Sequence, residues 1–303
     1  MNDKTLCIYH GSCYDGFGAA WVANRYFAGD VDFVAAAYGV PPPDVTGRRV
    51  LMVDFCYPYA IMEKLLAQAG MLTVLDHHRS NQQALDALCD GLRAKNAIVV
   101  FDTSRSGAGI AWDVLFEGRA RPPLLDRIED RDLWRFAYDD SRMIHAALES
   151  YPMNFTWWDD LMERPLAELN AEGERLEALH WNHIRMLLPI TKREMRIEGL
   201  LTPVANLPIT LCSDAGVELA KENAHGFAAT YMDTPIGRQF SLRSTEDGPD
   251  VSKIAARYGK LFGTSGGGHP HAAGFIAPRN WEGDETLDVA RANYERAVQT
   301  SLK

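Results

Sequence analysis

Residues 72–78 read Leu72-Thr73-Val74-Leu75-Asp76-His77-His78, and the reading of this stretch decides the fold. Four mostly apolar, partly β-branched residues run directly into an acid and two imidazoles. A buried strand of an α/β sheet has this look where it ends at a site. Ligands of open α/β sheets sit outside the carboxyl ends of the strands, so Asp76, His77 and His78 stand where chemistry is expected. An ordinary polar loop carrying two histidines is the plainer reading, and the rest of the chain decides between them.

Working outward, the same design recurs. Residues 5–9 form a short strand followed at once by His10 and the polar turn Gly11-Ser12-Cys13-Tyr14-Asp15-Gly16, with a helix over 17–27. A second strand is expected over 31–37, and Pro41-Pro42-Pro43 and Gly47 punctuate the loop after it. A third strand over 50–53 ends in Asp54, a helix over 61–69 leads to the Leu72 strand, and a strand over 97–101 ends in Asp102 before a helix over 106–116. Strands alternating with helices imply parallel βαβ units. Four strands thus finish on His10, Asp54, Asp76 and Asp102. Acids are rarely buried unless paired or bound to metal, so four such ends argue for a site.

The stretch Leu124-Leu125-Asp126-Arg127-Ile128-Glu129-Asp130-Arg131-Asp132-Leu133-Trp134 fits a helix and the turn after it. A charged helix face accounts for Asp126 and Arg127, and less well for Asp130 and Asp132 beside Trp134. Residues 136–188 read as helical, with a long amphipathic run over 172–188 that carries His180 and His183. No carboxylate partner for those two histidines is evident, so packing or surface roles are expected for them. From Ile197 the chain turns to short strand-like pieces at 200–204, 209–212, 226–232 and 240–243, then a helix over 250–258. The stretch Gly263-Thr264-Ser265-Gly266-Gly267-Gly268-His269-Pro270-His271-Ala272-Ala273-Gly274-Phe275 follows. Consecutive glycines free backbone N–H groups to cradle an anion. His269, with Arg243 and Ser244 on a preceding strand, favours phosphate binding over a plain glycine hinge.

The 303 residues suit two domains, each with its own core. The five cysteines form no C-x-x-C pair and are read as reduced thiols of a cytoplasmic protein. No apolar run approaches the ~18 residues of a membrane span, and the start lacks a signal peptide's apolar region. A net charge of −10 argues against a protein that coats long nucleic acid. It leaves room for a small phosphate ester whose charge is met by metal ions.

Imidazole and carboxylate together suit Mn²⁺, Fe²⁺, Co²⁺ or Zn²⁺, and less so Mg²⁺. The number of donors exceeds the needs of one ion, and a carboxylate bridging two ions is the usual arrangement for phosphoryl hydrolysis. A Ser- or Cys-based hydrolase is the competing chemistry. It lacks a G-x-S-x-G elbow, and Cys13 has no base partner apart from His10.

On these residues the chain resembles the DHH phosphoesterases over nearly its whole length. His10 to Gly16 is similar to the family's first motif, Asp54 to its second, Asp76-His77-His78 to its third, and Asp132 with Phe136 to its fourth. Ser106-Gly107-Ala108 stands where the family has a small-residue helix start. Gly266-Gly267-Gly268-His269-Pro270 resembles the glycine-rich motif of the associated C-terminal domain. The resemblance implies an α/β protein with a parallel-sheet N-terminal lobe (1–135), a helical linker (136–192) and a smaller C-terminal α/β lobe (193–303), with the active site in the cleft. It implies two Mn²⁺ ions, with Mg²⁺, Co²⁺ or Zn²⁺ admissible. His10 would bind one ion, Asp15 and His77 the other, Asp54 would bridge and Asp132 would complete the set. Asp76 would orient His77, and His78 would contact the scissile phosphate. Ser106, Arg243, Ser244, Gly266, Gly267, Gly268 and His269 would hold the substrate.

Two points stay open. The first motif usually carries two acids, and here Cys13 replaces the first, either as a weak ligand or as a bystander. Asp102 rivals Asp132 as the last ligand. The expected function is metal-dependent hydrolysis of a short oligonucleotide, a dinucleotide or 3′-phosphoadenosine 5′-phosphate, as in oligoribonuclease-type members. A pyrophosphatase and a nucleotide sensor weakened by Cys13 are the alternatives. The long helical segment permits a homodimer.

Overall fold

The structure is a computed structural model that describes residues 4–11, 13–91 and 96–286. The chain divides into two compact units, Met1–Leu179 and His180–Lys303. In the first, β1 (Thr5–His10), α1 (Tyr14–Tyr26), β2 (Val31–Ala36), β3 (Arg49–Val53), α2 (Tyr59–Gln68), β4 (Met71–Asp76), α3 (Arg79–Gly91), β5 (Ala97–Phe101) and α4 (Gly107–Leu115) follow in turn. Helices α5 (Pro123–Asp132), α6 (Ser141–Glu149) and α7 (Phe155–Glu163) come next, and α8 (Leu166–Thr191) runs on into the second unit.

All four strand pairings in the first unit are parallel, in the order β2-β1-β3-β4-β5. The apolar runs of these strands are continuous because both faces are covered. Alternation then sorts their side chains. Leu6, Ile8, Val50, Met52, Leu72 and Val74 pack with Met62 and Leu65 of α2 and Leu85 of α3. Cys7, Leu51, Val53 and Leu75 point the other way, onto Phe17 and Trp21 of α1, Ile110 of α4, Leu125 of α5, Ile144 of α6 and Trp158 of α7. Each such aliphatic side chain contributes about 1.5–3 kcal/mol by leaving water, so the layers are set by the strands' own sequence.

This order contains one reversal, since β2 and β3 lie on opposite sides of β1. Ligands of doubly wound sheets bind outside the strand ends at such a switch point. His10 ends β1, and Asp54 leaves β3 directly beside it.

The second unit is a six-stranded sheet in the order β10-β11-β9-β8-β7-β6. Its elements are β6 (Lys192–Ile197), β7 (Leu200–Asn206), α9 (Ile209–Glu222), β8 (Phe227–Thr234), β9 (Gly237–Ser244), α10 (Val251–Phe262), β10 (Gly266–His269) and β11 (Ala272–Ala277). Its pairings are antiparallel except β7 with β8, which α9 connects as a crossover. Phe227, Phe240, Leu242, Phe275 and Trp281 pack with Ile254 and Tyr258 of α10 on one face. Ala205 and Ala228 meet Leu211, Ala215 and Leu219 of α9 and Ile184 of α8 on the other.

Three expectations are corrected here. Residues 209–212 are not a strand but the first turn of α9. Its β-branched start misleads over four residues. The buried pairs Leu211–Cys212, Ala215–Gly216 and Leu219–Ala220 recur every four residues, and that longer period wins. The glycine stretch is not an open loop, because Gly266–His269 pairs antiparallel with Ala272–Phe275. A Cβ at Gly266 would lie 2.1 Å from the Ala255 carbonyl oxygen, so this glycine lets α10 pack against the hairpin. Finally, His180 does have a carboxylate partner, since its Nε2 is 3.0 Å from Asp214 Oδ2 on α9.

Candidate metal centre

The carboxyl ends of β1, β3 and β4 lie side by side. Tyr9 pairs with Val53, and Val53 with Leu75, so His10, Asp54 and Asp76 form the next row across three neighbouring strands. Asp54 has φ 54°, in the left-handed region, while its N–H donates to the Leu75 carbonyl at 2.8 Å. A non-glycine residue held there costs on the order of 1 kcal/mol or more, and such strain clusters at functional sites. Here it turns the Asp54 side chain inward, where the residue is 1% exposed.

His77 is the hub. Its Nε2 lies 3.0 Å from Asp54 Oδ1, 3.6 Å from Asp132 Oδ2 and 3.8 Å from Asp15 Oδ2. Asp15, in the first turn of α1, is fixed from the far side by α4. Gly107 N–H donates to its Oδ2 at 2.6 Å and Ala108 N–H to its Oδ1 at 3.0 Å. The positive end of a helix thus holds the carboxylate in place. A Cβ at position 107 would lie 2.4 Å from Asp54 Cβ and 2.9 Å from Asp15 Oδ2, so only glycine lets α4 start so close.

Asp76 acts differently from the expectation. Its Oδ1 accepts from the backbone N–H of His77 at 2.8 Å and of His78 at 3.2 Å, and lies 2.8 Å from His78 Nδ1. The ring it orients is that of His78, while it meets His77 through the main chain. Asn81 Nδ2 donates to Asp76 Oδ2 at 2.7 Å and to the Tyr38 hydroxyl at 3.2 Å. Tyr38 in turn packs edge-on against the His10 ring.

The carboxyls titrate unequally. Burial raises Asp54, but the facing imidazoles of His10, His77 and His78 outweigh it and hold the acid well below the usual range. Asp15 is pushed well above that range by burial and by the charges of Asp54 and Asp132. Asp132 is raised by desolvation, with His77 opposing and Asp54 adding to the rise. Burial lowers His77, yet the hydrogen bond to Asp54 and the three carboxylates carry it up to about 10. His78 is raised by Asp76 and Asp54 against its own burial.

Of the rivals for the last ligand, Asp132 is the one brought to His77. Asp102 is engaged in its own loop, accepting from Ser104 N–H at 2.8 Å, Ser104 Oγ at 2.6 Å and Arg105 Nε at 2.8 Å. Chiefly the Ser104 hydroxyl, and then Arg105, hold its carboxyl at about 2. Ser106 is fully buried and caps α4, its Oγ accepting from Gly109 N–H at 3.2 Å. In the second unit Arg243, Ala272 and His269 stand in one row across β9, β11 and β10. Arg243 Nη2 donates to Ser213 Oγ at 2.7 Å, and Ser244 is buried with Oγ donating to Gly226 O at 3.3 Å. Sequence reasoning missed Tyr38, Asn81, Gly107 and Ser213. Only the position of Gly107, inside the small-residue start of α4, carried a signal.

The donor set fits divalent cations. His10, Asp54 and His78 each offer an atom within 4.8 Å of the others, and so do Asp15, Asp54 and His77. His10 Nδ1 and Asp54 Oδ2 are both buried, 3.4 Å apart, and neither makes a well-formed hydrogen bond among the described residues. Buried polar atoms left so cost about 1–3 kcal/mol, which a shared cation would offset.

Residues 215–300 match the DHHA1 domain family. An uncharacterized protein, R106, of Acanthamoeba polyphaga mimivirus is 26% identical over 301 residues, covering 89% of this chain and 66% of that protein, so the chain spans just under two thirds of its length. The pGpG-specific phosphodiesterase PggH of Vibrio cholerae has a similar fold, with TM-score 0.50 at 13% identity and 99% of both chains covered. The DHH domain of a protein assigned to a family of ribosomal proteins aligns with TM-score 0.56 at 12% identity, over 98% of this chain and 87% of that one.

Proposed function

We propose that the chain is a DHH-type, metal-dependent phosphohydrolase acting on a small nucleotide, a reading supported by the DHHA1 match over residues 215–300 and by the fold shared with PggH and with a DHH domain. The observation that carries the reading is Asp54. It is a buried carboxylate at a sheet switch point, with one oxygen facing His77 and the other facing His10. His10 would hold one ion, Asp15, His77 and Asp132 a second, and Asp54 would bridge them. Divalent ions so held would make water a nucleophile near neutral pH and neutralise phosphate charge.

The residues of the chain supply the rest. Asp76 fixes the Nδ1 edge of His78, which would direct the Nε2 edge at a substrate. The raised proton affinity of His78 keeps the ring protonated further toward neutral pH, which suits it to donate a hydrogen bond to a phosphoryl oxygen or a proton to the leaving oxygen. Gly107 and Ala108 keep Asp15 in position by hydrogen bonds that need no rearrangement during reaction. Arg243, Ser244, Gly266, Gly267, Gly268 and His269 of the second unit would hold the far phosphate or the nucleoside.

A net charge of −10 favours short substrates over long strands. Since PggH is described as acting on pGpG, a linear dinucleotide is the first substrate to try. Mn²⁺-dependent hydrolysis is to be measured on a diribonucleotide, a five-residue RNA, 3′-phosphoadenosine 5′-phosphate and pyrophosphate, with Asp54→Asn and His78→Ala alongside. Turnover of a nucleotide that both variants reduce by at least 100-fold supports the proposal. Metal binding with silence on all four substrates refutes it.

A further inference from the structure

The start of α4 serves two carboxylates, and only one of them belongs to the candidate ligand set. Gly107 and Ala108 give their N–H groups to Asp15, and Gly109 gives its own to Ser106 Oγ. The remaining donor, Ser106 N–H, goes to Glu129 Oε2 on α5 at 2.9 Å. The N–H groups that a helix start leaves without intrahelical partners are thereby shared between a residue of the centre and a residue outside it.

Glu129 is itself firmly held. Arg121 Nη1 lies 3.2 Å from the same Oε2, and Arg135 Nη1 lies 3.8 Å from Oε1. Arg121 also donates to Asp113 of α4, from Nε at 2.9 Å and from Nη2 at 2.5 Å, so it ties Glu129 to that helix a second time. The backbone of α4 makes room for the carboxylate. A Cβ at Gly109 would lie 2.1 Å from Glu129 Oε2 and 3.0 Å from Arg121 Nη1, so glycine admits Glu129 here as Gly107 admits Asp15 and Asp54. On α5, Asp132 follows Glu129 by three residues, one turn along the helix. Asp15 therefore hangs on the start of α4 and Asp132 on the end of α5, and both reach His77. The bond from Ser106 N–H to Glu129 joins those two helix ends directly.

We propose that Glu129 is a positioning residue of the metal centre: by fixing the start of α4 to the last turn of α5 it sets the distance between Asp15 and Asp132, an assignment that rests on the reading of the strand-end cluster as a metal centre. Glu129 touches neither ion nor substrate and acts through the N–H groups that hold Asp15. Carboxylates behind the ligands of a metal govern affinity in this way, by orienting what they hold. A carboxylate at a helix start also stabilises the helix, so stability and placement have to be read separately.

Isothermal titration of the full-length protein with Mn²⁺, beside urea unfolding of the metal-free form, makes that separation. Glu129→Ala should bind Mn²⁺ about 10- to 100-fold more weakly. Glu129→Gln should return affinity to within about threefold of wild type, because an amide oxygen in the place of Oε2 accepts from both Ser106 N–H and Arg121. An effect of charge alone would weaken the two variants equally. Asp113→Asn loosens the same Arg121 without touching Ser106 N–H, so it should lower the urea midpoint yet leave Mn²⁺ affinity within about threefold. In Gly107→Ala the helix start is already displaced, so adding Glu129→Ala should cost less than about a further threefold. Far-ultraviolet circular dichroism checks that each variant is folded. Wild-type affinity in folded Glu129→Ala, or a loss in Glu129→Gln or Asp113→Asn equal to that in Glu129→Ala, would overturn the assignment. The expected pattern with no phosphoester turnover would remove the proposed function and leave this inference standing; turnover with Mn²⁺ affinity indifferent to Glu129→Ala would do the reverse.

Discussion

Gly107→Ala isolates the close start of α4 from every ligand, because it changes no donor atom. The added Cβ would lie 2.4 Å from Asp54 Cβ, 2.8 Å from Asp54 Oδ1 and 2.9 Å from Asp15 Oδ2. Carbon atoms in contact sit about 3.5–4.0 Å apart, so the helix start and Asp54 must separate by about 1 Å. Asp54 cannot give way cheaply, since its backbone is held in the left-handed region and its N–H is bonded to Leu75 O. The movement falls instead on α4, lengthening the 2.6 Å bond from Gly107 N–H to Asp15. Overpacking of this kind costs about 1–3 kcal/mol, and weakening a hydrogen bond to a charged group adds about 1–2 kcal/mol. Against this, alanine favours a helix over glycine by at most about 1 kcal/mol, less at the first helical position. Metal geometry tolerates a few tenths of an ångström, so a ~1 Å displacement should weaken Mn²⁺ binding on the order of 10- to 100-fold. Isothermal titration reads the affinity, and urea unfolding of the metal-free protein reads the stability, with a loss of about 1–3 kcal/mol expected. Wild-type Mn²⁺ affinity in Gly107→Ala would refute the claim that α4 sets the spacing of Asp15 and Asp54.

Three further outcomes follow from the same geometry. Asp132→Asn should lower Mn²⁺ affinity at least tenfold while Asp102→Asn leaves it within about twofold, as measured by titration, because only Asp132 reaches His77. Asn81→Ala strips the side-chain donor from the buried Asp76 Oδ2 and should cost about 1–3 kcal/mol in urea unfolding, as well as shifting the pH dependence of any reaction that uses His78. The His77 imidazole is carried from an ordinary value near 6.5 to about 10 in the folded protein, so its contribution to metal-free stability is complete below about 6.5 and is lost as pH rises through about 10. Since a ligating imidazole must give up that proton, Mn²⁺ affinity should climb between pH 6 and 9, a trend that His77→Gln removes.

Strand ends were legible because an apolar, β-branched run that stops on an acid or imidazole would bury an unpaired polar group unless a site receives it, and His10, Asp54 and Asp76 all follow that rule. Asp102 follows it too, yet serves its own loop. The signal lay just beyond it, in Ser104 and Arg105, whose donors satisfy both carboxylate oxygens locally. What sequence could not show is partnership at a distance. Asp76 was expected to steer His77, its immediate neighbour, but the Nδ1 it meets belongs to His78, because the main chain of both histidines folds back over Oδ1. Asn81 and Tyr38 are single polar residues with no pattern to mark them. His180 and Asp214 lie 34 residues apart on different helices, which no helical spacing predicts. The glycines near residue 266 were readable as special and misread in kind, since a close helix and a bare anion loop make the same demand for a missing Cβ.

Electrostatics settles the order in which such a site can fill. A phosphate approaching Asp15, Asp54 and Asp132 meets carboxylates grouped about one imidazole, in a chain whose net charge is −10. At an effective dielectric near 20, each ionised carboxylate about 4 Å away repels a unit negative charge by about 4 kcal/mol. The positive charge on His77 offsets one such carboxylate, which leaves the others opposing the substrate. One divalent ion displaces the proton of His77 and still leaves three carboxylates with a net charge of about −1, and a second ion makes the pocket attractive. Nucleotide affinity should therefore be strictly conditional on the cation. Equilibrium dialysis of a labelled dinucleotide against Asp54→Asn and wild type should show binding with Mn²⁺ and none with chelator. Equal retention in both conditions would mean that the nucleotide is held by the second unit alone, with the buried acids taking no part in its recognition.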